Sequence, residues 1–178
     1  MNETTTNLND VDMATLHQLV EKYQVDPEAG HSTWSARVQW LGGFRAEAQV
    51  RELPPVRADE PTWLAGTDTG PNAVEHLLGA LGQCLAVGYA ANAAVRGIRI
   101  DALEITLRGE IDLPVFLGLA GGNAGYDRIN VEVHLDADAP RDQLEELHRH
   151  VLATSPVGNT LANPVQVEAR LAPAASSD

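Results

Sequence analysis

The sequence predicts an α+β fold on three observations. Residues 33–40 and 45–50 alternate polar and apolar side chains around Gly42-Gly43, the pattern of a β-hairpin. Residues 72–96 read as one long helix, opened by Pro71-Asn72 and closed by Gly97, the punctuation of a helix. Beyond it a period of two returns, over Leu103, Ile105, Leu107 and Ile111 and again over Ile129, Val131, Val133 and Leu135. The order is hairpin, long helix, two strands, helix, strand, which segregates helices from antiparallel strands.

Taken in order, the polar residues 1–11 are expected to be disordered. Met13, Leu16, Leu19, Val20 and Tyr23 then recur at the spacing of one helix face, and Pro27 and Gly30 stop the run. This short amphipathic helix could pack on the body or on a partner subunit. Pro54, Pro55 and Pro61 make residues 53–70 a long loop. In the long helix, Gly79, Ala80, Gly82, Ala86, Gly88 and Ala90 leave a thin cylinder, so a second helix or a symmetry mate is expected to come close, although each interior Gly costs about 1 kcal/mol. Residues 98–112 read as a strand and 114–126 as a Gly-rich loop with a helical turn at 115–119. Asp136 and Asp138 read as caps of a helix running to about Leu152, with Leu144, Leu147, Val151 and Leu152 on its apolar side. Ser155-Pro156 reads as an N-cap followed by Pro at the first helical position. Pro164 precedes a last strand at 165–171, and 172–178 reads as a solvated tail. The expected organisation is an extension over 1–30, one domain over 31–172 and a disordered tail over 173–178.

Composition narrows the function classes. The chain has 178 residues, 44% of them hydrophobic but only 4% aromatic, so its core must be built from Leu, Val and Ala. Twelve basic against 25 acidic side chains give a net charge of -13, which argues against nucleic acid or an anionic membrane as partner. Neither a signal-peptide pattern in residues 1–12 nor an apolar run of span length is read, so a cytoplasmic location is expected. Cys84 is the only cysteine, which rules out an intramolecular disulfide, a CxxC motif and a cysteine-built zinc site. In His148-Arg149-His150 the two histidines stand two apart and point away from each other on a helix, so metal ligation is not expected. Gly121-Gly122-Asn123 reads as a turn, and nothing beside it suggests a nucleotide site. No cofactor is implied.

The run Gly70-Pro-Asn-Ala-Val-Glu75-His-Leu-Leu-Gly-Ala-Leu-Gly-Gln-Cys84, the sequence Arg108-Gly-Glu-Ile-Asp-Leu, and Ser155-Pro-Val157 after a helix together resemble the OsmC/Ohr family of osmotically inducible and organic hydroperoxide resistance proteins. The likeness covers about residues 34–171. It implies a thiol-dependent peroxidase acting on organic hydroperoxides, built as an intertwined homodimer with two sites drawn from both subunits. Cys84 matches the family's peroxidatic cysteine, and Ser155 stands where a second, resolving cysteine would precede Pro-Val, which removes an intrasubunit disulfide step. Peroxidase members carry a glutamate ten residues before the cysteine, where this chain has Val74; Glu75 is one place later, as in the OsmC-like branch.

Reduction of a peroxide by a thiol needs a thiolate, a cation to favour it and steady the departing alkoxide, and an apolar pocket for the organic group. Cys84 can supply the first and Leu77, Leu81 and Leu85 part of the last. With the only lysine, Lys22, in the first helix, the cation is expected to be Arg45 or Arg57, in the region from which the family's catalytic arginine comes. With no second cysteine, an external thiol must restore the oxidised Cys84. On a straight helix Glu75 lies about 180° round and about 13 Å along from Cys84, and His76 about 80° and about 12 Å. Either the helix breaks near Gly79 and Gly82, or Glu75 acts indirectly by fixing an arginine, or Glu75 and His76 are a dipole partner and a surface residue. Cys84 can equally be a small buried hydrophobe. The competing functions are therefore a one-cysteine hydroperoxide reductase, an inactive OsmC-like protein that binds a small hydrophobic ligand, and, ranked last because no His is placed as a base, an acyl-transfer nucleophile.

Overall fold

The computed structural model describes residues 7–173. Residues 1–6 and 174–178, where disorder was expected, lie outside that range. After a short 3-10 turn at Leu8–Asp10 come helix α1 (Met13–Val25), the hairpin strands β1 (Arg37–Gly42) and β2 (Arg45–Gln49), and a short strand β3 (Val56–Ala58). Helix α2 (Ala73–Val95) follows, then β4 (Ile100–Gly109), a single turn α3 (Leu113–Phe116), β5 (Ile129–Ala137), α4 (Arg141–Thr154) and α5 (Pro156–Ala162). One antiparallel sheet has the order β1-β2-β3, the other is the antiparallel pair β4-β5. This is an α+β architecture.

The hairpin turns where it was expected, with Gly42 at φ 98° and Gly43 at φ 59°, left-handed conformations that glycine adopts without steric cost. Inside the expected loop at 53–70, two features were not foreseen. Val56, Arg57 and Ala58 pair with Ala48, Glu47 and Ala46, the prolines before them staying outside the ladder. Asp59, buried to 2% exposure, accepts hydrogen bonds from the backbone and hydroxyl of both Thr67 and Thr69 and from Glu60 N. The following Glu60 accepts from the Asn72 side chain at 3.0 Å, so the loop is tied to the start of α2.

Helix α2 opens with a capping box: Asn72 Oδ1 accepts from Glu75 N at 3.0 Å, and Glu75 Oε2 accepts from Asn72 N at 2.8 Å. It ends at Gly97, whose φ of 71° reverses the chain. Its thinness serves two neighbours in the same chain. A Cβ on Gly82 would stand 2.8 Å from Leu107 of β4, and one on Gly88 would stand 2.9 Å from Val151 of α4. The core gathers here, as Leu81, Leu85, Tyr89 and Ala93 meet Ile98, Leu147 and Val151. By length and composition α2 would also pass for a membrane span, with mean hydropathy 1.3 over 18 residues, which corrects the expectation that no apolar run was long enough. Packing against β4, α4 and α5 takes up part of this apolar surface.

Three further expectations are corrected. Disorder over 1–11 does not extend to residue 9, where Asn9 donates to Ile98 O and accepts from Ile100 N, both at 2.9 Å. Asp136 and Asp138 do not cap α4: Asp136 lies in β5, Asp138 approaches Arg99 at 4.0 Å, and Pro140 takes the N-cap position with no side-chain bond. The expected strand at 165–171 does not form, and Val167 and Leu171 are 87% and 101% exposed. A strand needs a partner for its backbone groups, and among the described residues none is paired with it.

The Thr67 hydroxyl, with the Thr69 backbone and hydroxyl, holds the Asp59 carboxyl well below its ordinary 3.8. The folded state therefore binds this proton less readily than the unfolded chain, so the contribution is full above pH 4 and is lost as pH falls below it. Asp59→Asn is expected to lower Tm at pH 7, and the gap from wild type should narrow in melts at pH 3.

Candidate active site

Cys84 sits at mid-length of α2, half-buried, between the two close-packed glycines. Its Sγ lies 3.3 Å from the Ser155 hydroxyl. Ser155 is 4% exposed, caps α5 and accepts from Gly158 N at 3.1 Å. The cap was legible from Ser-Pro; the contact with Cys84, across 71 positions, was not. Beside the sulfur opens a cleft of about 370 Å³, with Val87, Val151 and Pro156 as its apolar wall and Gln83, Asn92 and Thr154 at its polar positions. Asn92 Nδ2 donates to Gly88 O at 2.8 Å and the Thr154 hydroxyl to His150 O at 2.9 Å, so both turn to backbone.

The other candidates stand elsewhere. Glu75 is engaged in the capping box, and His76 Nε2 donates to Arg57 O at 2.9 Å, binding the helix start to β3. The helix does not break at Gly79 or Gly82, so Glu75 stays two and a half turns from Cys84. Arg45 donates to Gly42 O within the hairpin, and Arg57 reaches toward Glu47 at 3.9 Å with 73% of its side chain exposed. Both belong to the β1-β2-β3 sheet, and neither lines the Cys84 cleft. Leu81 and Leu85 face the core, while Leu77, seven residues from Cys84, shares its helix face about 10 Å away and is half-exposed. The groups that do line the cleft, Val87 and Gly88 at i+3 and i+4 from Cys84, follow from helical spacing; Val151, Thr154 and Pro156 come from tertiary packing.

A second cleft of about 390 Å³ lies between β5 and α4. The fully buried Tyr89 shares a hydrogen bond with His148 Nδ1 there, and burial pushes the Tyr89 phenol up, which keeps it protonated. His148 is thus turned toward Tyr89. Among the described residues no group of three or more His, Cys, Asp or Glu is gathered as for a metal.

A thiol packed on a thin helix, met by the cap of a following helix and opening on an apolar cleft, is the arrangement of a thiol-bearing α+β domain. The family model of OsmC-like protein matches residues 66–170, more than half of the chain, and the chain belongs to that family. No curated protein matches it. Among solved structures, an OsmC-like protein from Mycoplasma pneumoniae is 19% identical with a TM-score of 0.64, over 74% of this chain and 88% of that one. An organic hydroperoxide resistance protein from Legionella pneumophila is 14% identical with a TM-score of 0.57, over 74% and 91%. Another, from Elizabethkingia anophelis, is 14% identical with a TM-score of 0.53, over 72% and 88%. At these identities the likeness is one of fold.

If Glu75 serves the helix start, Glu75→Gln should leave the iodoacetamide alkylation rate of Cys84 within about twofold of wild type, since Gln fills the same capping-box position. Glu75→Ala should cost about 1 kcal/mol of stability in urea unfolding.

Proposed function

We propose that this protein reduces organic hydroperoxides through Cys84 alone, with an external thiol completing the cycle. The observation that carries the reading is the Cys84 sulfur at the mouth of a mostly apolar cleft, in contact with a hydroxyl. The Cys84 thiolate attacks one peroxide oxygen, the O–O bond breaks, and the alkoxide leaves and takes up a proton as the alcohol. Cys84 becomes a sulfenic acid. A thiol condenses with it, releasing water and leaving a mixed disulfide, and a second thiol restores Cys84 as a free disulfide departs. One hydroperoxide and two thiols thus yield an alcohol, a disulfide and water.

The cation belongs, in this reading, to a second copy of the chain. Only 28% of the most apolar stretch of α2 is buried, and Val38, Trp40 and Val87 are also exposed. These faces suit an intertwined homodimer, in which the partner's hairpin sheet would bring Arg45 or Arg57 to Cys84. A reducing, cytoplasmic setting fits an enzyme that works with one free thiol. The cleft has no basic side chain of its own, which favours a second reading as a ligand-binding protein that does not turn over.

Cumene hydroperoxide consumption with dithiothreitol separates the two. Wild type should consume it, Cys84→Ser should fall to the uncatalysed rate, and whichever of Arg45→Ala and Arg57→Ala removes the cation should lose about 100-fold or more, as loss of a preorganised charge partner does. Equal rates for wild type and Cys84→Ser leave the ligand-binding reading in its place.

A further inference from the structure

We propose that Ser155, besides capping α5, is a catalytic residue whose hydroxyl donates a hydrogen bond to the Cys84 thiolate. The inference rests on the peroxidase reading for its role, though not for its geometry. A serine hydroxyl has one proton and two acceptor positions. The Gly158 N–H occupies one acceptor position at 3.1 Å. Its proton remains to be given to another acceptor, and among the described residues the Ser155 hydroxyl has only one other partner, Cys84 Sγ at 3.3 Å; between thiol and hydroxyl either can donate, but toward a thiolate only the hydroxyl has a proton to give.

Two features strengthen this donor. A hydroxyl that accepts from an amide is polarised and becomes a better donor in its turn. At 4% exposure, Ser155 also meets little competition from water. A donor aimed at the sulfur favours the charged form of the thiol, which is the nucleophile. The same hydroxyl cannot close a disulfide. The oxidised Cys84 therefore stays open to an external thiol through the cleft, and the residue at position 155 assists the attack instead of resolving it.

The capping and donor roles can be separated, because Gly is itself a good N-cap and its replacement of Ser costs the helix little. The experiment is iodoacetamide alkylation of Cys84 at pH 7 in wild type, Ser155→Gly and Ser155→Thr, with thermal melts to confirm folding and Ser155→Ala as a second hydroxyl-free variant. Loss of a purely structural serine would open the cleft and leave alkylation equal or faster. Loss of the donor should slow it about tenfold in the Gly and Ala variants, the weight of a hydrogen bond to a charged group, while Thr stays within about twofold. Unchanged or faster alkylation without the hydroxyl, or an equal loss with Thr, overturns the proposal. Alkylation needs no peroxide: a slowed Ser155→Gly in a protein that does not reduce cumene hydroperoxide would sink the peroxidase reading alone, and active turnover with unchanged alkylation would sink only the role of Ser155.

Discussion

The close approach of α4 to α2 at Gly88 is the contact on which the site depends. A Cβ on residue 88 would stand 2.9 Å from Val151 Cγ1, so any larger residue there would make Val151 or the helix that carries it shift. Val151 stands four residues before Ser155, and Gly88 four residues after Cys84. The pair that brings the helices together is therefore one turn from the contact between Cys84 and Ser155. Gly82 plays the matching part on the other side, letting Leu107 of β4 seat against α2. The glycines cost helix propensity, and Leu85, Tyr89, Leu147 and Val151, all nearly inaccessible, repay it by burial.

Around this contact the ends of α2 are fastened by polar groups. At the start, Asn72, Glu75 and His76 connect to one another, to Glu60 and to the backbone of Arg57, and Tyr126 donates to Val74 O at 3.1 Å. Burial and the nearby Glu75 carboxylate push the Tyr126 phenol up, so it remains protonated and keeps that bond. At the other end Gly97 reverses the chain into β4, and Asn9 bridges the connection from outside. Cys84 sits midway between the two anchors, where the helix is held along its length.

Much of this was legible because it is local. Gly42-Gly43, Asn72, Gly97 and Ser155-Pro156 are turn and cap signals whose physics acts within four residues, and each lies where the structure uses it. The two-residue period of β4 and β5 and the apolar stripe of α4 are legible for the same reason. What escaped depends on distant partners. Asp59 shows no pattern until Thr67 and Thr69 fold back onto it. Leu81 and Leu85, three and one residues from Cys84, look like pocket residues in sequence, yet helical rotation turns them to the core. Residues 165–171 alternate as a strand should, but alternation alone supplies no ladder. The family likeness singled out position 155, and only the fold shows that its hydroxyl touches the sulfur.

The chain carries 25 acidic against 12 basic side chains, yet none of either kind lines the Cys84 cleft, and the Ser155 hydroxyl is the polar group that touches the sulfur. The account stands on the adjacency of residues 84 and 155 in solution, and disulfide trapping tests it directly. The variant Ser155→Cys, oxidised with diamide, should lose two hydrogens in intact mass as a monomeric chain and leave no thiol to alkylate. Two alkylatable thiols after oxidation, or disulfides formed only between chains, would contradict it.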